Sequence, residues 1–176
     1  MKLLLSQIPS PIGTILLVTD GEALRALEFL DHEARMHQLL RQQSGPYALT
    51  RIRDAGEPGR SIEAYFEGDM AALDRLPVRT GGTEFQRLVW AALRLIPVGT
   101  TTTYGQLAAR IGRPKASRAV GLANGANPVA VVVPCHRVVG ADASLTGDGG
   151  GLERKAWLLA HECYHAATMR RALAVA

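Results

Sequence analysis

Apolar residues along this chain fall into short runs and into three-and-four spacings. Ile15-Leu16-Leu17-Val18 and the stretch Leu24 to Leu30 read as strands, and Asp20-Gly21 between them predicts a tight hairpin turn. Glu33 to Gln43 reads as a helix that Gly45-Pro46 ends, and Ile62, Tyr65 and Phe66 sit at helical spacing before Gly68. The segment Leu76 to Gly82, with Pro77 and Gly81-Gly82, predicts a linker. This first half reads as mixed α and β. Nothing in it forms a catalytic constellation, and His32 and His37 read as surface helix residues.

The second half changes character. Thr83-Glu84-Phe85-Gln86 has the spacing of a capping box, in which the threonine hydroxyl and the glutamine amide satisfy each other's backbone N–H groups. The helix it opens carries Phe85, Leu88, Val89, Ala92, Leu93 and Ile96 on one face, and Pro97 ends it. Thr103-Tyr104-Gly105-Gln106 is a second capping box, which makes Tyr104 the first residue of a helix to about Ile111. Gly112 turns the chain, and Pro114 is placed to open another helix through about Asn124. Two short helices joined through a glycine fit a helix-turn-helix, and a pair of amphipathic helices in a bundle fits the same pattern. The second of them carries Lys115, Ser117 and Arg118 beside the small residues Ala116, Ala119, Gly121 and Ala123, which would let the backbone approach a target closely. Leu152 to Glu162 reads as a last helix with Leu152, Ala156 and Leu159 spaced for packing. Before it, Gly147-Asp148-Gly149-Gly150-Gly151 is either a plain connection or a backbone that must come close to a ligand.

Composition narrows the class. At 176 residues, 47% hydrophobic and 20% charged, the chain can bury a core, which excludes wholesale disorder. It contains no apolar run of membrane-spanning length, and Met1 to Leu5 is too short for a signal-peptide core, so a soluble cytoplasmic protein is expected. Charge is uneven. Residues 1–84 hold nine Lys/Arg against twelve Asp/Glu, whereas residues 85–176 hold eleven against four. Between Glu84 and Asp142 there is no acid, while Arg87, Arg94, Arg110, Arg113, Lys115, Arg118 and Arg137 fall inside. A surface for a polyanion such as nucleic acid fits this, as does a solvated face depleted of acids by chance.

Two cysteines, Cys135 and Cys163, exclude a disulfide scaffold and a four-cysteine metal site. The apolar run Val129 to Val133 predicts a buried extended segment leading into Pro134-Cys135-His136-Arg137-Val138-Val139. A free thiol is only a few per cent ionised at neutral pH, so a neighbouring imidazole or positive charge matters. Adjacent residues of an extended chain point opposite ways, so contact between Cys135 and His136 needs a turn or a bridging water. From the residues alone Cys135 is either reactive or structural, and Cys163, without such neighbours, reads as structural.

The stretch Val133-Pro134-Cys135-His136-Arg137-Val138-Val139 resembles the active-site signature of the O6-alkylguanine-DNA alkyltransferases. Ile96-Pro97-x-Gly99, Thr103-Tyr104-Gly105-x-Leu107-Ala108, Arg118-Ala119-Val120-Gly121, Asn127-Pro128 and Trp157-Leu158-Leu159-x-His161-Glu162 follow in the family's order over roughly residues 83–163. The resemblance implies an α+β fold: a small ribonuclease H-like N-terminal α/β domain, residues 1–81, and a helical C-terminal domain, residues 82–176, with the helix-turn-helix. It implies a DNA repair protein that flips O6-alkylguanine from duplex DNA and moves the alkyl group irreversibly to Cys135, with O4-alkylthymine as a second candidate substrate. The product is a thioether, which offers water no carbonyl to attack, so one protein accepts one group. Duplex alkylated DNA bound through its minor groove is the implied partner of a monomer, with cooperative loading along DNA left open, and no cofactor is implied.

By the same resemblance, Arg118 is the intercalating finger, and Arg113, Lys115, Ala116 and Ser117 join it against DNA. Tyr104 crowds the 3′ phosphate, rotates the nucleotide and then hydrogen-bonds the base, while Asn127 is a hinge between recognition helix and cysteine segment. His136, through a water, and Glu162 form the chain that deprotonates Cys135. Val138, Asp148, Gly149 and Gly150 line the base pocket, with Lys155 supporting that wall.

Two departures stand out. Most relatives carry tyrosine where this chain has Asp148, which implies a wider pocket or an aspartate turned to solvent. Some relatives hold a zinc ion in the N-terminal domain, but residues 1–84 contain no cysteine, so no metal is expected, and a prokaryotic source fits. The rival readings are a thiol hydrolase built on Cys135 and His136, and a non-catalytic helix-turn-helix protein that binds damaged DNA.

Overall fold

The computed structural model describes residues 1–146 and 151–175. Four strands, β1 (Lys2–Ile8), β2 (Ile15–Thr19), β3 (Leu24–Phe29) and β4 (Ala48–Arg51), form a sheet in the order β3-β2-β1-β4. β2 is antiparallel to both neighbours, whereas β4 joins β1 in parallel after a crossover through helix α1 (Glu33–Ser44). Side chains alternate across this sheet, and both faces are covered. Leu3, Leu5, Leu16, Val18 and Ala26 pack beneath Met36 and Leu40 of α1. Ile15, Leu17, Leu27 and Phe29 face helix α2 (Gly56–Glu67) and the helical half of the molecule. Burial on both sides explains why β2 reads as an unbroken apolar run rather than an alternating one.

Two strands carry no such signature. In β1 the run Leu3-Leu4-Leu5 is too short to separate strand from helix. β4 is a largely exposed edge held by backbone pairing to β1. The expected tight turn at Asp20-Gly21 is a four-residue connection: the Asp20 carboxylate accepts the N–H groups of Glu22 and Ala23 at 3.0 and 2.9 Å, which widens the loop.

The C-terminal half contains α3 (Glu84–Leu93), β5 (Thr102–Thr103), α4 (Tyr104–Arg110), α5 (Ser117–Gly125), β6 (Val138–Val139) and α6 (Leu152–Val175). Both expected capping boxes are formed, Thr83 with Gln86 and Thr103 with Gln106. Leu88 does not share the buried face of α3. It is 42% exposed, and Trp90 turns inward to donate its indole N–H to the Ala123 carbonyl at 2.8 Å, tying α3 to α5. Pro114 does not open α5. It is the second residue of a turn closed by Ala116 N–H on Arg113 C=O at 2.8 Å, and the helix begins at Ser117. In α6 the buried stripe is Lys155, Leu158 and Glu162 rather than Leu152, Ala156 and Leu159, because polar side chains with internal partners occupy it. Cys163, expected to be structural, is exposed. Among the described residues no helix is long and apolar enough to cross a membrane.

The two halves meet along the outer edge of β3. Leu24 N–H donates to Pro77 C=O at 2.8 Å and its carbonyl accepts Arg79 N–H at 2.9 Å. Farther along, Leu27 N–H donates to Pro128 C=O at 2.9 Å and its carbonyl accepts Ala130 N–H at 3.0 Å. The segment expected as a linker is thus paired to the sheet, and so is the approach to the cysteine. Gly81 allows the closest passage, since a Cβ there would lie 2.0 Å from the Gln43 carbonyl oxygen.

Candidate active site

The segment before the cysteine is a buried, tightly turned structure rather than the expected extended one. Val132 N–H donates to Ala130 C=O at 2.8 Å around Val131, whose φ is +68°, and Val133 N–H reaches Val129 C=O at 3.0 Å. A second three-residue turn follows at Pro134, closed by Cys135 N–H on Val133 C=O at 2.8 Å. An apolar run reports burial but not backbone angle, and a β-branched residue at positive φ is contrary to local preference. Asn127 clamps this turn at both ends: its Oδ1 accepts Val129 N–H at 3.0 Å and its Nδ2 donates to Val133 C=O at 2.8 Å.

Cys135, His136 and Arg137 form a single 3-10 turn, then β6 pairs in parallel with β5 immediately before Tyr104. Cys135 is 6% exposed and His136 is buried. His136 Nε2 lies 2.8 Å from Oε1 of the fully buried Glu162. Arg137 grips the same carboxylate with Nε on Oε2 and Nη2 on Oε1, both at 2.9 Å, and sends Nη1 to the Ile96 carbonyl. Tyr65 Oη, on α2, donates to Oε1 at 2.8 Å. Burial pushes the Glu162 carboxyl up, but the hydrogen bonds and charges of His136 and Arg137 outweigh it and hold the group well below the usual carboxylate range. Burial first, and then the Glu162 charge, push the Tyr65 hydroxyl far above its ordinary value, so it stays protonated and donates. An ionised Glu162 places the imidazole proton on Nε2, which leaves the lone pair on Nδ1, a buried atom without a protein partner among the described residues. The arrangement can take a proton at Nδ1 and stabilise the resulting imidazolium.

Tyr104 Oη donates to the Thr146 carbonyl at 2.8 Å, the same oxygen that receives Nζ of the buried Lys155 at 2.8 Å. The Tyr104 ring lies against α5, where a Cβ on Gly121 would meet Cδ1 at 3.7 Å. Arg118 is exposed in the first turn of α5, with Arg113 and Lys115 exposed in the preceding turn and Ala116 and Ser117 half-buried. Two members of the basic stretch do not belong to this surface: Arg137 is buried on Glu162, and Arg94 donates to the carbonyls of Leu73, Asp74 and Leu76. Val138 is buried in β6. Asp148, Gly149 and Gly150 lie outside the described residues.

Two contributors escape the sequence reading. Tyr65 reads as core by its spacing, although a buried phenol needs a partner and so hints at one. Asn124, fully buried on α5, donates to the Cys135 carbonyl at 3.4 Å. Among the described residues no group of three or more His, Cys, Asp or Glu side chains is gathered as a metal site requires.

Comparison with known proteins agrees across the length of the chain. Residues 84–164 match the family described as 6-O-methylguanine DNA methyltransferase, DNA binding domain, and residues 3–80 match its ribonuclease-like domain. The methylated-DNA–protein-cysteine methyltransferase of Salmonella typhimurium is 48% identical over 167 residues, 93% of this chain and 98% of that protein. That of Mycolicibacterium paratuberculosis is 57% identical over 158 residues, covering 90% and 91%. The Mycobacterium tuberculosis OGT structure in complex with DNA superposes with a TM-score of 0.77 at 39% identity, covering 92% of this chain and 94% of that one. The chain belongs to the O6-methylguanine-DNA methyltransferase family.

Proposed function

We propose that this protein repairs O6-alkylguanine in duplex DNA by transferring the alkyl group to its own Cys135. The activity is that of a methylated-DNA–protein-cysteine methyltransferase. The observation that carries the site assignment is the buried Glu162–His136 pair on the turn that begins with Cys135, with Nδ1 left to accept a proton. In this reading the thiol proton passes to Nδ1, directly or through a water. The thiolate then attacks the alkyl carbon in line; the S–C bond forms as the C–O6 bond breaks, and guanine leaves with the electron pair and recovers the proton from His136. A thioether gives water no route back, so the reaction ends after one turnover.

The lesion is stacked inside the duplex, so the base must be extruded before the sulfur can reach it. Arg118, exposed at the start of α5, suits a wedge that fills the vacated space in the minor groove, and Arg113 and Lys115 suit the phosphates beside it. Ala116 and Ser117 carry small side chains that allow close approach. Tyr104 rotates the nucleotide and then bonds the base, and Val138 lines the pocket with Lys155 behind it. Asn127 links the end of α5 to the cysteine turn through the two hydrogen bonds it makes there. We place the domain boundary between residues 81 and 82 and the protein in the cytoplasm, acting as a monomer on DNA.

Intact-mass spectrometry after incubation with an O6-methylguanine duplex tests the reading. A gain of one methyl group per protein, mapped to Cys135, is expected. Loss of the lesion with Cys135 unmodified would overturn it. Cys135→Ala is expected to bind the duplex and transfer nothing.

A further inference from the structure

Glu162 and His136 belong to the helical half of the molecule, but one donor to the carboxylate does not. Oε1 receives three hydrogen bonds, from His136 Nε2, Tyr65 Oη and Arg137 Nη2, at 2.8, 2.8 and 2.9 Å. Oε2 receives Arg137 Nε at 2.9 Å. The two-pronged Arg137 contact fixes the plane of the carboxylate by itself. The Tyr65 ring packs edge-on against Phe66 and His161, with centroids 5.2 and 5.4 Å apart. A phenylalanine would fill that space equally well, and burying a hydroxyl is unfavourable unless its hydrogen bond serves something.

We propose that Tyr65 is a positioning residue of the proton relay, contributed by the sheet half, whose hydroxyl tempers the hold of Glu162 on His136. The inference rests on the reading that Cys135 accepts the alkyl group. Each donor on Oε1 draws negative charge away from the face it presents to Nε2–H. With less charge opposite it, the imidazolium formed when His136 takes the Cys135 proton is held less tightly and passes that proton on to the departing guanine. Tyr65 and Glu162 exchange no proton themselves. Other charged or titratable groups stand around the relay: Arg137 on the cysteine turn, and on α6 Arg154, which lines a small cavity with Cys135 and His136. Also on α6 are Lys155, turned to the Thr146 carbonyl, and His161, with Nε2 2.9 Å from the Tyr65 carbonyl. All of them are retained in the variants below.

The test compares wild type, Tyr65→Phe and site-specific 3-fluorotyrosine at position 65, all carrying Cys163→Ser so that Cys135 is the reporting thiol. Iodoacetamide alkylation of Cys135 is followed from about pH 5 to about pH 10, a range that brackets the titrations of histidine and thiol. Methyl transfer from an O6-methylguanine duplex, duplex affinity and thermal unfolding are measured beside it. Tyr65→Phe is expected to lower the pH midpoint of alkylation by about 0.5 to 1 unit and to slow transfer on saturating DNA about 3- to 10-fold, with duplex affinity unchanged. Fluorotyrosine, a more acidic phenol and a stronger donor, is expected to raise the midpoint. Opposite movements in the two variants are not available to a merely structural tyrosine. Midpoints that stay put, or move the same way in both, overturn the inference while wild type transfers normally. A wild-type protein that takes no methyl group overturns the repair reading instead.

Discussion

Arg137 and Glu162 form a two-pronged ion pair at the centre of the protein, with Nε and Nη2 each 2.9 Å from a carboxylate oxygen and the glutamate fully buried. Removing the cation would strand a charge that has no route to water. Arg137→Met is expected to cost about 3–5 kcal/mol of stability in urea unfolding, and Arg137→Lys most of that, because an ammonium cannot reproduce the planar fork.

The same pair sets a pH dependence. The folded-state pKa of Glu162 lies well below its ordinary 4.5, so the group contributes stability that is fully present above pH 4.5 and is lost as pH falls toward the folded value. Glu28 acts in the opposite sense: burial raises its pKa against the pull of Arg35, so protonating it in acid relieves the cost of its buried charge. Melting temperatures followed downward from neutral pH are expected to fall below about pH 4.5 in wild type. In Glu162→Gln the fall is expected to be shallower and to start from a less stable protein.

Arg35 reaches from α1 to the far end of α5. Its Nη1 pairs with Glu28, and its Nη2 donates to the carbonyls of Gly125 and Asn127, while Gln43 Nε2 approaches Ala126 C=O at 3.4 Å. The sheet half thereby caps the C-terminal carbonyls of α5. Arg35→Met is expected to cost about 3 kcal/mol in urea unfolding, since the pair is only partly exposed, and to weaken duplex binding although position 35 is not placed against DNA.

Asn127 satisfies two buried backbone groups at once. Asn127→Asp keeps the acceptor toward Val129 but loses the donor to Val133, and Asn127→Ala loses both. Each orphaned group carries a penalty of about 1–3 kcal/mol, and aspartate also buries a carboxyl against the Val133 carbonyl, so both substitutions are expected to destabilise in unfolding experiments. Single-turnover transfer is expected to slow in both variants.

Substitutions at the exposed basic residues are expected to separate affinity from chemistry. Arg113→Ala and Lys115→Ala are each expected to reduce the salt slope of duplex binding by about 0.9, the signature of one lost phosphate contact. Arg118→Ala is expected to leave stability within about 0.5 kcal/mol and to cut the transfer rate far more than the affinity, since the wedge role proposed for it acts after binding. Equal losses in rate and affinity would assign Arg118 to the phosphates.

What the sequence made legible follows from the kind of signal each element carries. Thr83 and Thr103 announce their helices because capping is local chemistry, and β2 announces itself because both its faces are buried. β4 is a largely exposed edge whose side chains show no pattern to read. Lys155 and Glu162 invert the expected face of α6, since a periodicity of apolar residues cannot register charged groups whose partners lie elsewhere in the chain. The family signature pointed to Cys135, His136 and Glu162, and the fold brings His136 and Glu162 together. The tight turn that leads into the cysteine was not legible, because Val131 adopts a backbone angle that valine avoids. Tyr65 was hidden for the opposite reason: its spacing is ordinary, and only the tertiary fold brings its hydroxyl to Glu162.

The rim of β3 serves two masters, accepting residues 77–79 from one stretch of chain and 128–130 from another. Halves taken from two different relatives would therefore have to agree along that seam before a chimera could fold. Successful exchanges should cluster at cut points that carry β3 and both of its visitors from the same parent, so the sheet and the helices are inherited as one unit.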